Sequence, residues 1–325
     1  MSALYPLTFQ PIFKERVWGA RNLERLYGKK LPPSVPIGES WEISDRPGDV
    51  SVVSNGPLAG KDLHWLVENH RADLLGDATL EAGRFPLLIK LLDAQEKLSL
   101  QVHPPASKAA ELRGDPKTEM WFIADAIPDA ELYVGLKRGV TRADFERRIG
   151  DGSVAECFHR AKVRAGDSMF LPSGRVHAIG AGLVIFEIQQ NSDTTYRVFD
   201  WNRVGLDGKP RELHIPQSLA SIDFNDFEPA LVAGEKVVGT DFLTCRLVDH
   251  ALFAVDHYEA HQACEILLPR GRMRIVGVVS GEVRVSGPGR LQAVLLPGQF
   301  CLIPATSPGE LIAGVGAQFL CAQAG

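Results

Sequence analysis

The stretch Gly166-Asp-Ser-Met-Phe-Leu-Pro-Ser-Gly-Arg-Val-His177 constrains the fold of this 325-residue chain more than any other. Its first two residues favour a β-turn, because glycine adopts positive φ and aspartate hydrogen-bonds its own backbone. The apolar Met-Phe-Leu run has the length of a buried strand. The Pro and the second Gly then turn the chain again. His177 therefore follows a rigid turn, and a side chain held in this way suits a metal ligand.

Three further candidate ligands lie upstream of this stretch. Gln101 and His103 are two residues apart, so on a strand both side chains point to the same face. Glu119 begins the run Glu-Met-Trp-Phe-Ile, whose residue types favour a neighbouring strand. The order and spacing of the two stretches resemble the two signatures of the cupin β-barrels, with Gln101 in place of the first cupin histidine. A structural histidine beside a chance turn is the alternative, but all four residues in this order would rarely occur by chance.

We therefore predict that Gln101, His103, Glu119 and His177 bind one divalent metal ion. The predicted fold is mainly β: a cupin (jelly-roll) barrel with helical insertions, followed by a second, smaller β-barrel-like domain. We expect the metal-binding domain to span residues 1–228 and the second domain to span residues 229–325. In the second part, Gly298-Gln-Phe-Cys-Leu-Ile-Pro304 repeats the turn-strand-turn pattern without ligands, since no histidine follows at the required distance.

The composition excludes several classes of protein. A net charge of −5, with no basic run, gives no support to nucleic-acid binding. No apolar run reaches the 18 residues of a membrane span, and the first residues lack the pattern of a signal peptide. Five cysteines at wide spacing, without a C-x-x-C pair, favour reduced thiols. We therefore expect a cytoplasmic protein with no membrane or nucleic-acid partner.

Helical patterns interrupt the strands of the first domain. Residues 61–76 carry apolar residues at helical spacing and end at a glycine, and residues 105–113 and 141–150 also have helical composition. Thr141, with Asp144 three residues later, fits the start of the last of these helices. We expect these insertions to cover one end of the barrel.

Several polar residues stand in otherwise apolar or structured segments. Lys90 interrupts the apolar run Phe85–Leu92, so it is either paired inside a buried strand or snorkels from an edge strand. Glu39 or Glu42, on a strand beside a core tryptophan, is a further candidate for the site. The polar segment Gln189–Arg197 suggests recognition of sugar hydroxyls. The basic segment Gly208–His214 fits either a binding role or a solvated turn.

The whole run of motifs resembles the type I mannose-6-phosphate isomerases, in particular their short bacterial form. The resemblance covers about residues 5–225 well and the remainder weakly. The stretches that carry it are Ile37–Glu42, Phe85–Lys90, Leu98–Pro104, Lys117–Trp121, Pro172–Gly180, Glu187–Gln190 and Ser192–Arg197.

The resemblance implies a zinc-dependent isomerase that interconverts mannose 6-phosphate and fructose 6-phosphate. It places the zinc ligands on the same four residues that the spacing indicates. It also implies a catalytic arginine at Arg197, an active-site lysine at Lys117, and substrate binding through the phosphate at Ser99 and Lys90. The base that moves the proton stays open: Lys117, a metal-bound water and a carboxylate are all candidates. Zinc suits the ligand types, as do manganese and iron.

Two alternatives compete with this interpretation. One is another metal cupin enzyme acting on a sugar phosphate; the other is a non-catalytic cupin that binds or senses carbohydrate. The presence of both Arg197 and Lys117 speaks against the second. The sequence leaves open the oligomeric state, the breadth of substrates and the choice between proton and hydride transfer.

Overall fold

The computed structural model describes residues 4–325, and β-strands form most of its regular structure. The strands of the first 200 residues are β1 (Ile12–Ala20), β2 (Ile37–Ile43), β3 (Asp45–Arg46), β4 (Asp49–Val50), β5 (Leu87–Ala94), β6 (Leu100–Val102), β7 (Glu119–Ala126), β8 (Glu131–Leu136), β9 (Phe158–Lys162), β10 (Ser168–Leu171), β11 (His177–Ile179), β12 (Leu183–Gln190) and β13 (Tyr196–Phe199). The helices are α1 (Asn22–Tyr27), α2 (Leu63–Leu75), α3 (Ala106–Ala109), α4 (Arg142–Asp151) and α5 (Ile215–Ser221), with a 3₁₀ turn at Val154–Cys157.

Two large sheets form most of the first part of the chain, and β3 and β4 pair in a separate two-stranded sheet. Sheet I has six strands in the order β1-β2-β5-β12-β7-β10, and sheet II has five in the order β13-β6-β11-β8-β9. Apolar side chains from both sheets, among them Leu92, Trp121, Leu132 and Ile185, pack into one buried cluster. The two sheets are not hydrogen-bonded to each other into a closed barrel. The predicted cupin architecture is confirmed as a jelly roll of two facing sheets.

The position of β5 decides between the two interpretations of Lys90. β5 lies inside sheet I, between β2 and β12, so the edge-strand alternative is wrong. Every residue of β5 is buried, including Lys90, which is 4% exposed. A lysine in this position needs an anionic partner, because an unpaired buried charge is very costly.

The predicted helices are present: α4 packs on sheet II, whereas the apolar side chains of α2 belong to the largest buried cluster. α4 begins with a capping box, in which the hydroxyl of Thr141 accepts from the amide of Asp144 and the Asp144 carboxylate accepts from the amide of Thr141. Phe145 on this helix is fully buried against Phe158 of β9. Burying such a ring contributes about 1.5–3 kcal/mol, which holds the insertion on the sheet. α2 ends at Gly76, as the sequence predicted.

The second part of the chain contains two more sheets. Its strands are β14 (Glu235–Val238), β15 (Phe242–Asp249), β16 (Phe253–Ala260), β17 (Cys264–Leu267), β18 (Arg274–Ser280), β19 (Val283–Ser286), β20 (Gln292–Leu295), β21 (Phe300–Ile303), β22 (Glu310–Ala313) and β23 (Gln318–Ala324), with a 3₁₀ turn at Pro288–Arg290. Sheet III has the order β14-β15-β16-β23-β18-β21, and sheet IV the order β17-β22-β19-β20. Apolar side chains such as Val276, Val285, Leu311 and Phe319 fill the space between them.

The two parts share one hydrophobic core. The largest buried cluster contains Leu7 and Phe186 from the first part, and Phe253 and Leu302 from the second. The backbones of Leu7 and Leu302 also exchange two hydrogen bonds of 2.8 Å. The N-terminal segment therefore adds to the edge of sheet III. Within residues 4–325, no helix combines the length and the apolar composition needed to cross a bilayer.

Candidate active site

The two sheets bring three candidate metal ligands together in the interior. His177 opens β11 of sheet II, Glu119 opens β7 of sheet I, and His103 follows directly after β6. Each of the three residues is at most 1% exposed. Nε2 of His177 lies 3.4 Å from Oε1 of Glu119, and Nε2 of His103 lies 3.6 Å from Oε2. Ligand atoms about 2.0–2.2 Å from a common ion have separations of this size.

The hydrogen bonds of both imidazoles fit a role in metal binding. Nδ1 of His103 lies 2.8 Å from the carbonyl oxygen of Thr194, and Nδ1 of His177 lies 3.0 Å from that of Arg175. A carbonyl oxygen only accepts, so each Nδ1 carries the hydrogen and each Nε2 presents a lone pair to the cluster. Within the described residues, Nε2 of His103 and Oε1 of Glu119 form no hydrogen bond. Because such buried atoms are costly without a partner, the donor set fits a cation.

Gln101 lies beside this cluster, and the nitrogen of its side-chain amide, not the oxygen, faces the cluster. It is directly opposite His177 in the β6–β11 register, and its Nε2 lies 3.3 Å from Nε2 of His177. Its Oε1 accepts a hydrogen bond of 3.2 Å from the hydroxyl of Ser99. The predicted oxygen ligand therefore requires a half-turn of the terminal amide, whose two ends have nearly the same shape.

Charges around the cluster set the protonation of its members. Burial acts to raise the pKa of Glu119, but Lys117 and then His103 hold it well below its usual range. Burial and the nearby Lys117 lower the pKa of His103 to about 4, and burial lowers that of His177. The cluster therefore contains neutral imidazoles and an ionised carboxylate near neutral pH, which is the state that binds metal.

Lys117 is in direct contact with the cluster. Its Nζ lies 2.8 Å from Oε2 of Glu119 and 4.0 Å from Oε1 of Glu187. Burial acts to lower the pKa of Lys117, but the two carboxylates outweigh it and raise the pKa above its ordinary value. In this structure Lys117 is therefore an ammonium group.

A cavity of about 560 Å³ opens beside the cluster. The lining of this cavity includes one candidate ligand, Gln101. It also includes the other predicted site residues, which are Lys117, Ser99, Lys90 and Arg197. All four predicted residues outside the ligand set therefore line the same space as Gln101. Arg197 is directly opposite Gln101 in the β13–β6 register, and its Nη1 donates 2.8 Å to the carbonyl oxygen of Glu212.

Lys90 is held in the cavity wall by two carboxylates. Its Nζ lies 3.1 Å from Oε1 of Glu187 and 3.9 Å from Oε2 of Glu39, and both glutamates line the cavity. Burial acts to raise the pKa of Glu39, but Lys90 and Arg16 lower it to about 2. Glu42, the other candidate on the same strand, instead pairs with Lys29 at 2.7 Å and does not line the cavity.

Glu187 lines the cavity but was not among the site residues predicted from the sequence. A signal was nevertheless present, since Glu187 is the one charge in the apolar run Leu183–Ile188, as Lys90 is in Phe85–Leu92. Two buried strands that each contain one charge of opposite sign are expected to pair these charges. The register confirms the pairing, because Glu187 faces Lys90 directly.

The polar segment Gln189–Arg197, which begins at the end of β12, has mainly a supporting role. The amide of Gln189 donates to the carbonyl oxygens of Gln190 and Ser192. The Gln190 amide accepts from the backbone of Thr118 and donates to Glu81. The expectation that the whole segment recognises sugar is therefore too broad. Within it, the residues that line the cavity are Asp193, Thr195 and Arg197.

Comparisons with known proteins identify the family. The model of a family described as phosphomannose isomerase type I, catalytic domain, matches residues 7–120. Mannose-6-phosphate isomerase ManA of Bacillus subtilis is 39% identical over 283 residues, covering 86% of this chain and 87% of that protein. This chain belongs to the type I phosphomannose isomerase family.

Two further comparisons extend this assignment along the chain. Mannose-6-phosphate isomerase of Streptococcus mutans is 35% identical over 302 residues and is matched over 93% of both chains. The crystal structure of mannose 6-phosphate isomerase from Bacillus subtilis superimposes with a TM-score of 0.89 at 31% identity, over 98% of this chain and 99% of that one. The resemblance inferred from the motifs to the type I phosphomannose isomerases is thus confirmed, and it includes the C-terminal sheets.

Proposed function

We propose that this chain is an isomerase that interconverts mannose 6-phosphate and fructose 6-phosphate with one bound zinc ion. The observation that carries the proposal is the buried His103–Glu119–His177 cluster beside a charged cavity, in a chain of this family. The similar proteins of Bacillus subtilis and Streptococcus mutans are named for this activity. A substrate with several hydroxyl groups suits a cavity whose walls are mostly charged or polar side chains.

We propose His103, Glu119, His177 and the amide oxygen of Gln101 as the zinc ligands. Two imidazoles, one carboxylate and one neutral oxygen form a donor set that zinc accepts. When bound, the ion would supply Lewis-acid stabilisation of the negative charge that develops on the oxygens of C1 and C2. The contacts of Nδ1 in both histidines keep each ring in the tautomer that can bind the ion.

The two proposed catalytic residues act on oxygens of the substrate. Arg197 is a permanent cation, so it can hold a hydroxyl or enediolate oxygen but is a poor base. Lys117 presents a charged Nζ beside the cluster and can give a hydrogen to a substrate oxygen. Ser99 and Lys90 line the same cavity, and we propose that they bind substrate.

The proton that moves between C1 and C2 needs a base, and the cavity offers two buried glutamates. Glu39 is a weak base, because its pKa is about 2 and both of its oxygens accept hydrogen bonds, from Arg16 and from the indole of Trp41. Oε1 of Glu187 is paired with Nζ of Lys90 at 3.1 Å, and its Oε2 accepts from the indole of Trp121 at 3.0 Å. Both carboxylates are therefore paired with cations, and these contacts single out neither of them as the base.

We also propose that residues 1–228 carry the chemistry and that residues 229–325 serve the structure. In support, the candidate ligands and the cavity lining lie between residues 15 and 211. The space between sheets III and IV is filled by apolar side chains. A cytoplasmic location remains our expectation, and it suits five buried cysteines that form no disulfide.

The test is an assay that couples formation of fructose 6-phosphate from mannose 6-phosphate to a detectable signal. The purified protein is assayed as isolated, after chelation, and after chelation followed by zinc. We expect turnover in the first and third samples and loss of it in the second. Full activity in a chelated sample shown to be metal-free would overturn the metal-dependent mechanism, and no turnover by the zinc-loaded protein would overturn the assigned reaction.

A further inference from the structure

The candidate ligands of the metal cluster come from two different sheets. Glu119 opens β7 of sheet I, whereas His177 opens β11 of sheet II and His103 follows β6 of that same sheet. The donor atoms of a binding site must be held within about 0.5 Å of the productive geometry. The contacts that fix the two sheets relative to each other beside the cluster therefore bear on the affinity for metal.

The turn at residues 172–175 carries the chain from sheet I to sheet II. It follows β10, whose last residue faces Glu119 in the β10–β7 register, and it leads to His177 at the start of β11. Within the turn, the amide of Gly174 donates a hydrogen bond of 3.0 Å to the carbonyl oxygen of His103. The turn is thus attached to both histidine ligands, to one through the chain and to the other through a hydrogen bond.

Thr118 joins this turn to the strand of Glu119. It lies between Lys117 and Glu119 in the chain and is 3% exposed. Its Oγ1 accepts a hydrogen bond of 3.2 Å from the amide of Ser173, inside the turn. One hydroxyl group therefore connects the segment that carries Glu119 with the turn that leads to His177.

Thr118 is itself held in place by Gln190, at the end of β12. The amide of Thr118 donates to Oε1 of Gln190 at 2.9 Å, and its carbonyl oxygen accepts from the backbone amide of Gln190 at 3.1 Å. Nε2 of Gln190 in turn donates to Oε1 of Glu81 at 2.9 Å. Because Gln190 is only 6% exposed, water competes little for these hydrogen bonds. The backbone that presents the Thr118 hydroxyl to the turn is therefore fixed on both of its polar groups.

Arg175, the last residue of the turn, fixes the other side of it. Its guanidinium donates two hydrogen bonds of 2.8 Å to the carboxylate of Asp226 and one of 2.7 Å to the carbonyl oxygen of Phe170. We therefore expect the turn to keep its course when the Thr118 hydroxyl is removed. The change should be confined to the separation between the turn and the strand of Glu119.

We propose that Thr118 is a positioning residue of the metal site, whose hydroxyl sets the separation between Glu119 and the histidine ligands of sheet II. The inference rests on the proposed metal site and adds a residue that supplies no ligand atom to it. Without the hydroxyl, the half-buried amide of Ser173 loses its acceptor, and such a group is costly unless it moves to a new partner. A shift of the turn would displace His177 from Glu119, whose facing atoms are now 3.4 Å apart.

The test measures metal binding by Thr118→Val, which replaces the hydroxyl with a methyl group of similar size. Competition with a chelator gives the dissociation constant for zinc, and the visible spectrum of the cobalt-loaded protein reports the coordination geometry. We expect zinc to bind about tenfold to a hundredfold more weakly, the usual effect of removing a group that orients a metal ligand, and the cobalt spectrum to change. Thr118→Ser keeps the hydroxyl and should match the wild type in both measurements.

Thr8→Val is the matched control, because it removes a hydroxyl that also bonds a distant residue, Ser54, 46 positions away and outside the cavity beside the cluster. Thr118→Ala removes the same hydroxyl as Thr118→Val and replaces it in the test if that variant does not fold. Wild-type affinity and spectrum without the hydroxyl, an equal change in Thr8→Val, or a loss in Thr118→Ser would each overturn the role of Thr118. A wild type that binds no zinc would overturn the proposed metal site, and this inference with it.

Discussion

Nζ of Lys90 lies 3.1 Å from Oε1 of Glu187, and the two residues face each other in the register of two inner strands of sheet I. Both side chains are at most 5% exposed. An ion pair in such a place gives little net stability, since both charges lose their hydration. Its position in the cavity wall points to a role in binding and chemistry.

Breaking this pair from one side should be costly. We expect Glu187→Leu to reduce the free energy of unfolding by about 3 kcal/mol, because Lys90 loses its nearest carboxylate. The double variant with Lys90→Met should lose less than the sum of the two single variants. Denaturant unfolding of all four proteins measures the coupling, and additive losses would show that the two charges do not interact.

Removing one candidate ligand should release the metal. We expect His177→Ala to fall well below one zinc per chain by elemental analysis, because three donors hold the ion less tightly than four. His70→Ala is the control, since His70 packs on Trp65 in α2, away from the cluster. Full zinc occupancy in His177→Ala would exclude His177 as a necessary ligand.

Replacing Arg197 should reduce turnover and leave the metal bound. We expect Arg197→Ala to bind a full complement of zinc and to lose about a hundredfold to a thousandfold in kcat, the usual effect of removing a group that stabilises charge in the transition state. Arg138→Ala, on a side chain that is 77% exposed, should leave kcat unchanged. A kcat near that of the wild type in Arg197→Ala would remove this residue from the mechanism.

Glu39 should make the free energy of unfolding depend on pH in the acid range. Its pKa is about 2 in the folded protein, below the ordinary value of 4.5, so the unfolded chain binds the proton first as the pH falls. The stabilisation by Glu39 is therefore complete above pH 4.5 and is lost as the pH falls towards 2. We expect the advantage of wild type over Glu39→Gln, about 2–3 kcal/mol at neutral pH, to shrink across this window. Denaturant unfolding at pH 6, 4 and 3 measures it, and a constant difference would contradict the assignment.

Separating the two parts of the chain should prevent folding. Residues 1–228 alone would expose the shared core, including Leu7 and Phe186, where Phe253 and Leu302 now cover it. We expect this fragment to lack a cooperative thermal transition, whereas the full chain should unfold in one. A soluble fragment with a sharp transition and bound zinc would show that the first part folds independently.

Much of the site could be predicted from the sequence, because local patterns fix how some side chains are presented. The rigid turn before His177 and the two-residue spacing of Gln101 and His103 predicted that these side chains meet, and the structure brings them together at β6 and at the start of β11. The lone lysine of an apolar run predicted either a paired Lys90 inside a buried strand or a snorkelling Lys90 on an edge strand, and the sequence named no partner for it. The sequence also predicted α4, since its cap and its apolar spacing are local properties.

Other features depend on residues far apart in the chain, and only their packing decides them. The strand register selected Glu187 as the partner of Lys90. The alternation of side chains along β2 also separated Glu39, which lines the cavity, from Glu42, which does not, because residues three apart on a strand point to opposite faces. Arg211 lines the cavity while its guanidinium pairs with Asp200, eleven residues earlier.

The sequence by itself determined the identity of the candidate ligands, the β-rich fold and the family. These follow from the spacing of residue types along short segments, where the period of the backbone sets the direction of each side chain. The tertiary structure alone decided how the charges are matched around the cavity and which core the two parts share. Electrostatic and hydrophobic interactions act through space, so their sums depend on which distant segments the fold brings into contact.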